Sequence, residues 1–304
     1  MEFREPFLVV GSKGMLGTDL LARLCDCGKK AIGVDIDEID IRRRESVADA
    51  AARYAAGTII NVAAMTDVDG CESRREEAFE VNAQGPANLA ELVSEGGGGL
   101  IHLSTDYVFN GRARSPYGET DRMDPVGIYG KSKARGEMRV REILPDRHCI
   151  VRTQWLFGRH GKNFVEAILE AAKTRDVLRV VDDQRGSPTY AADLAGALVE
   201  LCDKGVTGTV HVTNSGNATW HEFAAAIIEQ AGAGNVRVEP ITTEELGRPA
   251  PRPAYSVLDT AKFVRLVGKP LRHWRAALVH YLNERTRNTG FFAKTDTGSS
   301  KGRP

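Results

Sequence analysis

Phe7-Leu-Val-Val-Gly11-Ser-Lys-Gly14-Met-Leu-Gly17 decides the fold of this chain. Four apolar residues ending in a glycine read as a buried strand that runs into a tight turn. The stretch from Thr18 to Cys25 then reads as a helix. Each glycine has its own job: Gly11 permits the turn, Gly14 lets backbone approach an anionic group, and Gly17 lets the helix pack closely on the strand. The spacing is G-x-x-G-x-x-G, with the second glycine moved by one residue from the G-x-G-x-x-G of standard dinucleotide turns. Alone, it reads equally well as a surface turn whose glycines supply positive φ.

The neighbouring segments narrow this. Lys30-Ala-Ile-Gly-Val-Asp35 is a short apolar strand that ends in an acid about twenty residues after the turn, where a carboxylate accepts from an adenosine ribose 2′-hydroxyl. Asp35 therefore tilts the cofactor toward NAD, although Lys13 and the Arg42-Arg43-Arg44 run could hold a 2′-phosphate. The arginine run also reads as the solvated start of a helix. Thr58 to Ala64 is a third strand ending in two small residues, and Gly99 to Asp106 a fourth; Gly208 to Thr213 is a late one. Helical stretches such as Glu77 to Ser94 separate them. The alternation predicts an α/β fold, a Rossmann-type doubly wound parallel sheet with a smaller α/β substrate-binding domain, whose ligands lie beyond the strand carboxyl ends.

Tyr129-Gly-Lys-Ser-Lys133 supplies chemistry. Residues four apart on a helix share a face, so an ammonium can sit beside a phenol. A neighbouring positive charge favours the ionised phenol and makes it a proton donor or acceptor closer to neutral pH. The spacing alone occurs on many solvated helices.

Of 304 residues, 42% are hydrophobic and 27% charged, with a formal net charge of zero, so nothing draws the chain to nucleic acid or an anionic membrane. The longest apolar run falls short of a membrane span, and Met-Glu-Phe-Arg-Glu-Pro lacks the apolar core of a signal peptide, so a cytoplasmic location is expected. Five cysteines, at 25, 27, 71, 149 and 202, form no C-x-x-C pair and read as reduced thiols. No His/Asp/Glu spacing marks a metal site.

Several further motifs accompany these: Asn61-Val-Ala-Ala-Met-Thr-Asp-Val-Asp69, Val81-Asn82, Ser104-Thr-Asp-Tyr-Val-Phe-Asn-Gly111, Arg152-Thr-Gln-Trp-Leu-Phe-Gly158, Asp183-Gln-Arg-Gly-Ser-Pro-Thr189 and Arg252-Pro-Ala-Tyr-Ser-Val-Leu-Asp259. From about residue 7 to 282 the chain resembles the dTDP-4-dehydrorhamnose reductases, extended short-chain dehydrogenases/reductases. The resemblance implies reduction of the C4 ketone of dTDP-4-dehydro-L-rhamnose by NADPH or NADH to dTDP-L-rhamnose. It casts Tyr129 as proton donor, Lys133 as holder of the nicotinamide ribose that lowers the phenol pKa, and Thr105 as donor to the substrate oxygen. Thr105 also reads as a cap for the next segment. The related 4,6-dehydratases carry Asp then Glu after the threonine, whereas this chain has Asp106 then Tyr107, which favours plain reduction.

By the same resemblance Gly11, Gly14, Met15, Leu16 and Gly17 surround the pyrophosphate, Asp35 meets the ribose, and Asp40 and Ile41 lie beside adenine. Ala63, Ala64 and Met65 lie near the nicotinamide, with Asn82 close to the pocket. Asp40 equally reads as a helix N-cap and Asn82 as a buried helix asparagine bonding backbone. Ser104, Thr105, Asp106, Tyr129, Trp155 and Arg252 are implied at the nucleotide sugar, Trp155 as a flat surface and Arg252 as a guanidinium for the diphosphate. An aromatic after a strand is also ordinary core, and Arg252 also reads as an exposed loop residue. The family often has Ser at the position of Gln154 and Asn at that of Tyr255, which puts the identity of the sugar in question. Some relatives use magnesium, which the sequence neither demands nor forbids.

The expected organisation is a dinucleotide-binding domain over 1–155, to which 186–212 returns, a substrate-binding domain over 156–185 and 213–287, and a disordered, glycine-rich tail over 288–304. Its expected partner is a small nucleotide sugar, and its state a monomer or homodimer. A nucleotide-sugar reductase or epimerase of other specificity shares the Tyr/Lys pair. The regulatory beta subunit of methionine adenosyltransferase resembles the same branch, and offers a non-catalytic alternative in which the chain binds NAD(P) as a partner protein.

Overall fold

The computed structural model describes residues 2–289. A central sheet contains β1 (Phe7–Val10), β2 (Ala31–Val34), β3 (Thr58–Asn61), β4 (Gly99–Thr105), β5 (His148–Thr153) and an edge strand, Gly208–His211. Their order is β2, β1, β3, β4, β5, edge strand, with every neighbouring pair parallel. Every residue of β1, β3 and β5 is buried, because helices cover both faces of the sheet. Alternate side chains of β1 enter opposite cores: Phe7 and Val9 join Leu16, Leu20 and Leu198, while Leu8 and Val10 join Ile59, Leu89 and Ile150.

The strand order reverses between β1 and β3, and that is where a doubly wound sheet opens a crevice beyond its carboxyl ends. Gly11, which follows β1, takes φ +88°, and a Cβ on it would lie 2.7 Å from the Ala63 backbone nitrogen, just past β3. A Cβ on Gly17 would come 2.2 Å from the Gly11 carbonyl oxygen. Both glycines thus answer to close backbone approach as the sequence anticipated.

A second group of elements caps the crevice. Strand Val177–Val181 pairs in parallel with Arg237–Ile241, and helices Phe164–Ala172, Trp220–Gln230 and Trp274–Thr289 pack around Phe157, Phe223, Trp274 and Tyr281. A Thr219/Glu222 capping box opens helix Trp220–Gln230. Helix Ala191–Asp203 packs on helix Met15–Asp26.

Two expected helices differ. The Arg42 helix begins at Arg44, since Asp40 and Arg42 form the turn before it. The expected helix Glu77 to Ser94 is broken into Arg75–Phe79, a wide π turn over Glu80–Gln84, and Gly85–Gly96. Pro86 has no N–H to offer the Asn82 carbonyl, so the Gly85 N–H reaches back five residues to Glu80 instead. Residues 288 and 289 close the last helix, and the rest of the expected tail lies outside the described residues. Among the described residues no helix is long and apolar enough to cross a membrane.

Candidate active site

A cavity of about 980 Å³ fills the crevice. Gly11, Gly14, Met15, Leu16 and Gly17 form one wall, and Asp35, Asp40 and Ile41 another. Ala63 and Ala64 line it from the end of β3, and Ser104, Thr105 and Asp106 from the end of β4. Tyr129, Lys133 and Trp155 line it as well. Met65, Asn82 and Arg252 do not line it, and neither does Tyr255, whereas Gln154 does.

The walls suit a dinucleotide. Gly14 is the N-cap of helix Met15–Asp26 and no side chain caps it, which leaves that helix start to the cavity. Asp35 is pinned to the glycine turn: its carboxylate accepts from the Lys13 N–H at 2.9 Å and from the Ile36 N–H at 2.9 Å. Asp40 both lines the cavity and receives a fork from Arg42, with two contacts of 2.8 Å, and that hydrogen bonding holds its carboxyl below the usual range. The helix after it begins at Arg44, so Asp40 sits in the preceding turn and is not its N-cap.

Helix Ile128–Ile143 carries Tyr129 and Lys133 on one face. Lys133 is 2% exposed and donates to the Leu103 carbonyl at 2.7 Å, which anchors it to the end of β4. Desolvation lowers its pKa to about 8, with the charge of Glu137 acting in the opposite direction. The Tyr129 phenol differs from expectation. Desolvation pushes it above the ordinary tyrosine value, a hydrogen bond with Thr105 opposes this, and the Lys133 amine is engaged with the Leu103 carbonyl. Thr105 Oγ1 donates to Asp106 Oδ1 at 3.0 Å and accepts from the Tyr107 N–H at 3.2 Å. Asp106 is buried, and desolvation raises its pKa to about 6 against hydrogen bonds from Ser256 and Thr105.

Asn82 acts through its neighbours. Its side-chain oxygen accepts from the Met65 N–H at 2.9 Å, and its amide donates to the Met65 carbonyl and to Ser132 Oγ, each at 3.1 Å. It thereby ties the loop after β3 to the residue preceding Lys133. Arg252 is paired within the protein. Asp69 takes its guanidinium in a fork with both contacts at 3.0 Å, and the Ala250 carbonyl takes a third donor at 2.8 Å, so it stands outside the cavity wall.

Trp155 adopts φ +48°, a left-handed conformation costly for a bulky residue. Its indole stacks on Trp220 with ring centroids 3.6 Å apart and planes 11° from parallel. Trp220 donates to Gln184 Oε1 at 3.2 Å and packs against Phe164 at 4.6 Å. Gln154 fastens the bend, donating to the Ser256 carbonyl at 2.9 Å and accepting from the Ser187 N–H at 2.5 Å. Sequence reasoning missed Trp220 and Lys162, both in the cavity wall. Trp220 follows a capping threonine and carries no cue beyond that, and Lys162 sits in an ordinary Gly-Lys-Asn loop. Among the described residues no group of three or more His, Cys, Asp or Glu side chains could hold a metal ion.

A doubly wound parallel sheet, with a glycine turn at its reversal point and a tyrosine–lysine helix facing the same cavity, defines a dinucleotide-dependent oxidoreductase of the extended short-chain type. The chain belongs to the family described as RmlD substrate binding domain, which it matches over residues 5–287. It is 43% identical to the spore coat polysaccharide biosynthesis protein SpsK of Bacillus subtilis over 92% of this chain and 97% of that one. It is 41% identical to a dTDP-4-dehydrorhamnose reductase of Streptomyces griseus, over 90% of this chain and 92% of the relative. A crystal structure of dTDP-4-dehydrorhamnose reductase from Bacillus anthracis in complex with NADP superposes with a TM-score of 0.88 at 36% identity, covering 93% of this chain and 100% of that one.

Proposed function

We propose that this protein reduces the C4 ketone of dTDP-4-dehydro-L-rhamnose with NADPH or NADH to give dTDP-L-rhamnose. The observation that carries the reading is that Tyr129, Lys133 and Thr105 line the same cavity as the glycine turn and Asp35. The similarity to reductases that act on this sugar supports the substrate. Bound NAD(P)H would supply hydride to the ketone carbon. The protein's own residues then manage the oxygen. Tyr129 gives it a proton, and Lys133, whose charge Glu137 supports against desolvation, binds the nicotinamide ribose. Thr105 Oγ1 donates to Asp106 Oδ1 and shares a hydrogen bond with Tyr129, so it orients the phenol that protonates the substrate oxygen. Tyr107 stands where a dehydratase would have its glutamate base, so no side chain of that pair removes the C5 proton.

The division into a dinucleotide-binding and a substrate-binding domain follows the same reading, with Trp155 and Trp220 meeting at the cavity from the two sides. Five free cysteines favour a reducing, cytoplasmic setting. The test is direct: purified protein with NADH or NADPH and the 4-keto sugar, followed at the nicotinamide absorbance. Loss of that absorbance with formation of the deoxysugar supports the reductase. Dinucleotide binding without turnover assigns the chain to the partner-protein alternative.

A further inference from the structure

A dinucleotide and a nucleotide sugar each bring a diphosphate into this cavity. Besides Lys133, the cations in its wall are Lys13, Arg42 and Lys162. Two of these are committed. Lys13 Nζ lies 2.5 Å from Asp37 Oδ2, and Arg42 is forked onto Asp40. Lys133 is buried against the Leu103 carbonyl, and Arg252 is held by Asp69. Among the described residues, Lys162 is the exposed cavity-lining cation that no carboxylate neutralises.

The loop that carries it is anchored at both ends. A Cβ on Gly158 would lie 2.9 Å from Ala191 Cβ and 3.1 Å from Met15 Cγ, so the loop begins pressed against the start of the helix that follows the glycine turn. Arg159 pairs with the buried Asp19 at 3.3 Å. Asn163 donates to the Gly158 carbonyl at 2.8 Å and caps helix Phe164–Ala172 by accepting from the Glu166 N–H at 3.2 Å. Between these anchors Gly161 takes φ +76° and has nothing within 4 Å of an added Cβ. The apex, Gly161 and Lys162, is exposed and lines the cavity.

We infer that Lys162 is a diphosphate-binding residue, adding a point charge to the N–H donors at the neighbouring helix start. The inference rests on the reading under Proposed function. A lysine needs no fixed fork geometry to hold a phosphate, which suits the open apex of a loop. The dinucleotide and the dTDP moiety present the same chemistry, and two separate titrations tell them apart.

NADH is titrated by its fluorescence without sugar, and dTDP by calorimetry without dinucleotide, on wild type, Lys162→Ala and Lys162→Arg. Loss of a charge-assisted contact should weaken one ligand by about tenfold in Lys162→Ala. The weakened ligand identifies the diphosphate, and Lys162→Arg should restore most of the affinity. Added salt should weaken that ligand less in Lys162→Ala than in wild type. Wild-type affinity of Lys162→Ala for both ligands overturns the inference and leaves the functional reading intact. Failure of the wild type to bind either ligand overturns both.

Discussion

Glu137 lies one helical turn beyond Lys133, with its carboxylate wholly buried between Arg152, at 2.7 and 2.8 Å, and Arg141, at 2.6 Å. Desolvation depresses the Lys133 pKa to about 8, and the charge of Glu137 opposes it. Because the folded value is lowered, Lys133 loses its proton as pH rises through about 8. The ammonium proposed to bind the ribose then disappears. The kcat/KM profile should therefore fall above roughly pH 8, where an unperturbed lysine would hold activity to about pH 10. A profile still flat at roughly pH 9.5 would contradict the role of Lys133. Glu137→Gln leaves the Arg152 guanidinium uncompensated in the core, and urea unfolding should show a loss of about 3–5 kcal/mol.

Tyr129→Phe removes one hydroxyl and keeps the ring, whose edge meets Tyr107 with centroids 5.4 Å apart. Turnover should fall by about 10²-fold or more while the NADH dissociation constant barely moves, because the lost proton transfer belongs to the chemical step. Measuring kcat beside the NADH Kd separates the two. A variant that turns over within about tenfold of wild type is not missing its proton donor.

The parts of the site set by short-range spacing were legible in the sequence. Gly11 and Gly17 answer to steric demands within one turn, Asp35 follows from the length of one βαβ unit, and Tyr129 and Lys133 from one turn of helix. Pro86 was also a readable warning of the π turn at Asn82. What the sequence could not show depends on distant partners. Arg252 looked free for a diphosphate, but its counter-ion, Asp69, is 183 residues away. Trp220 reaches the cavity from the far group of elements, and only the folded chain shows it lying on Trp155. The helical spacing of Tyr129 and Lys133 predicts an acidified phenol, but desolvation raises its proton affinity while the Lys133 amine is engaged with the Leu103 carbonyl.

With Trp155 at the sugar as proposed, its stack on Trp220 would make Trp220 a positioning residue for that site. With Phe164 behind it, Trp220 presses the Trp155 indole into place and helps offset the left-handed backbone at that position. Trp220→Ala should raise the KM for the 4-keto sugar by about tenfold, through lost stacking and a released indole, with the NADH Kd unchanged. Trp220→Phe should recover most of this. Two indoles at 3.6 Å also couple optically, so an exciton couplet in circular dichroism should vanish in Trp155→Phe and Trp220→Phe and survive in Trp274→Phe. An unchanged KM in Trp220→Ala would leave Trp220 as mere core.

Lys13 and Asp37 bear on which dinucleotide is preferred. Lys13 Nζ is held by Asp37 at 2.5 Å, with Glu38 at 3.9 Å, and Asp35 stands on the same turn. A 2′-phosphate entering beside Asp35 meets acids there and a lysine already neutralised, so the wild type should bind NADH more tightly than NADPH. Asp37→Asn frees the ammonium without moving it far. NADPH affinity should then improve by about threefold to tenfold, a modest gain because both side chains are largely exposed and screened. NADH affinity should stay within about twofold, since its ribose hydroxyl draws on Asp35 rather than Lys13. Lys13→Met in the Asp37→Asn background should abolish the gain. Fluorescence titration with both dinucleotides at low and high salt measures all of this, and a gain that survives the loss of Lys13 would show that the lysine does not read the phosphate.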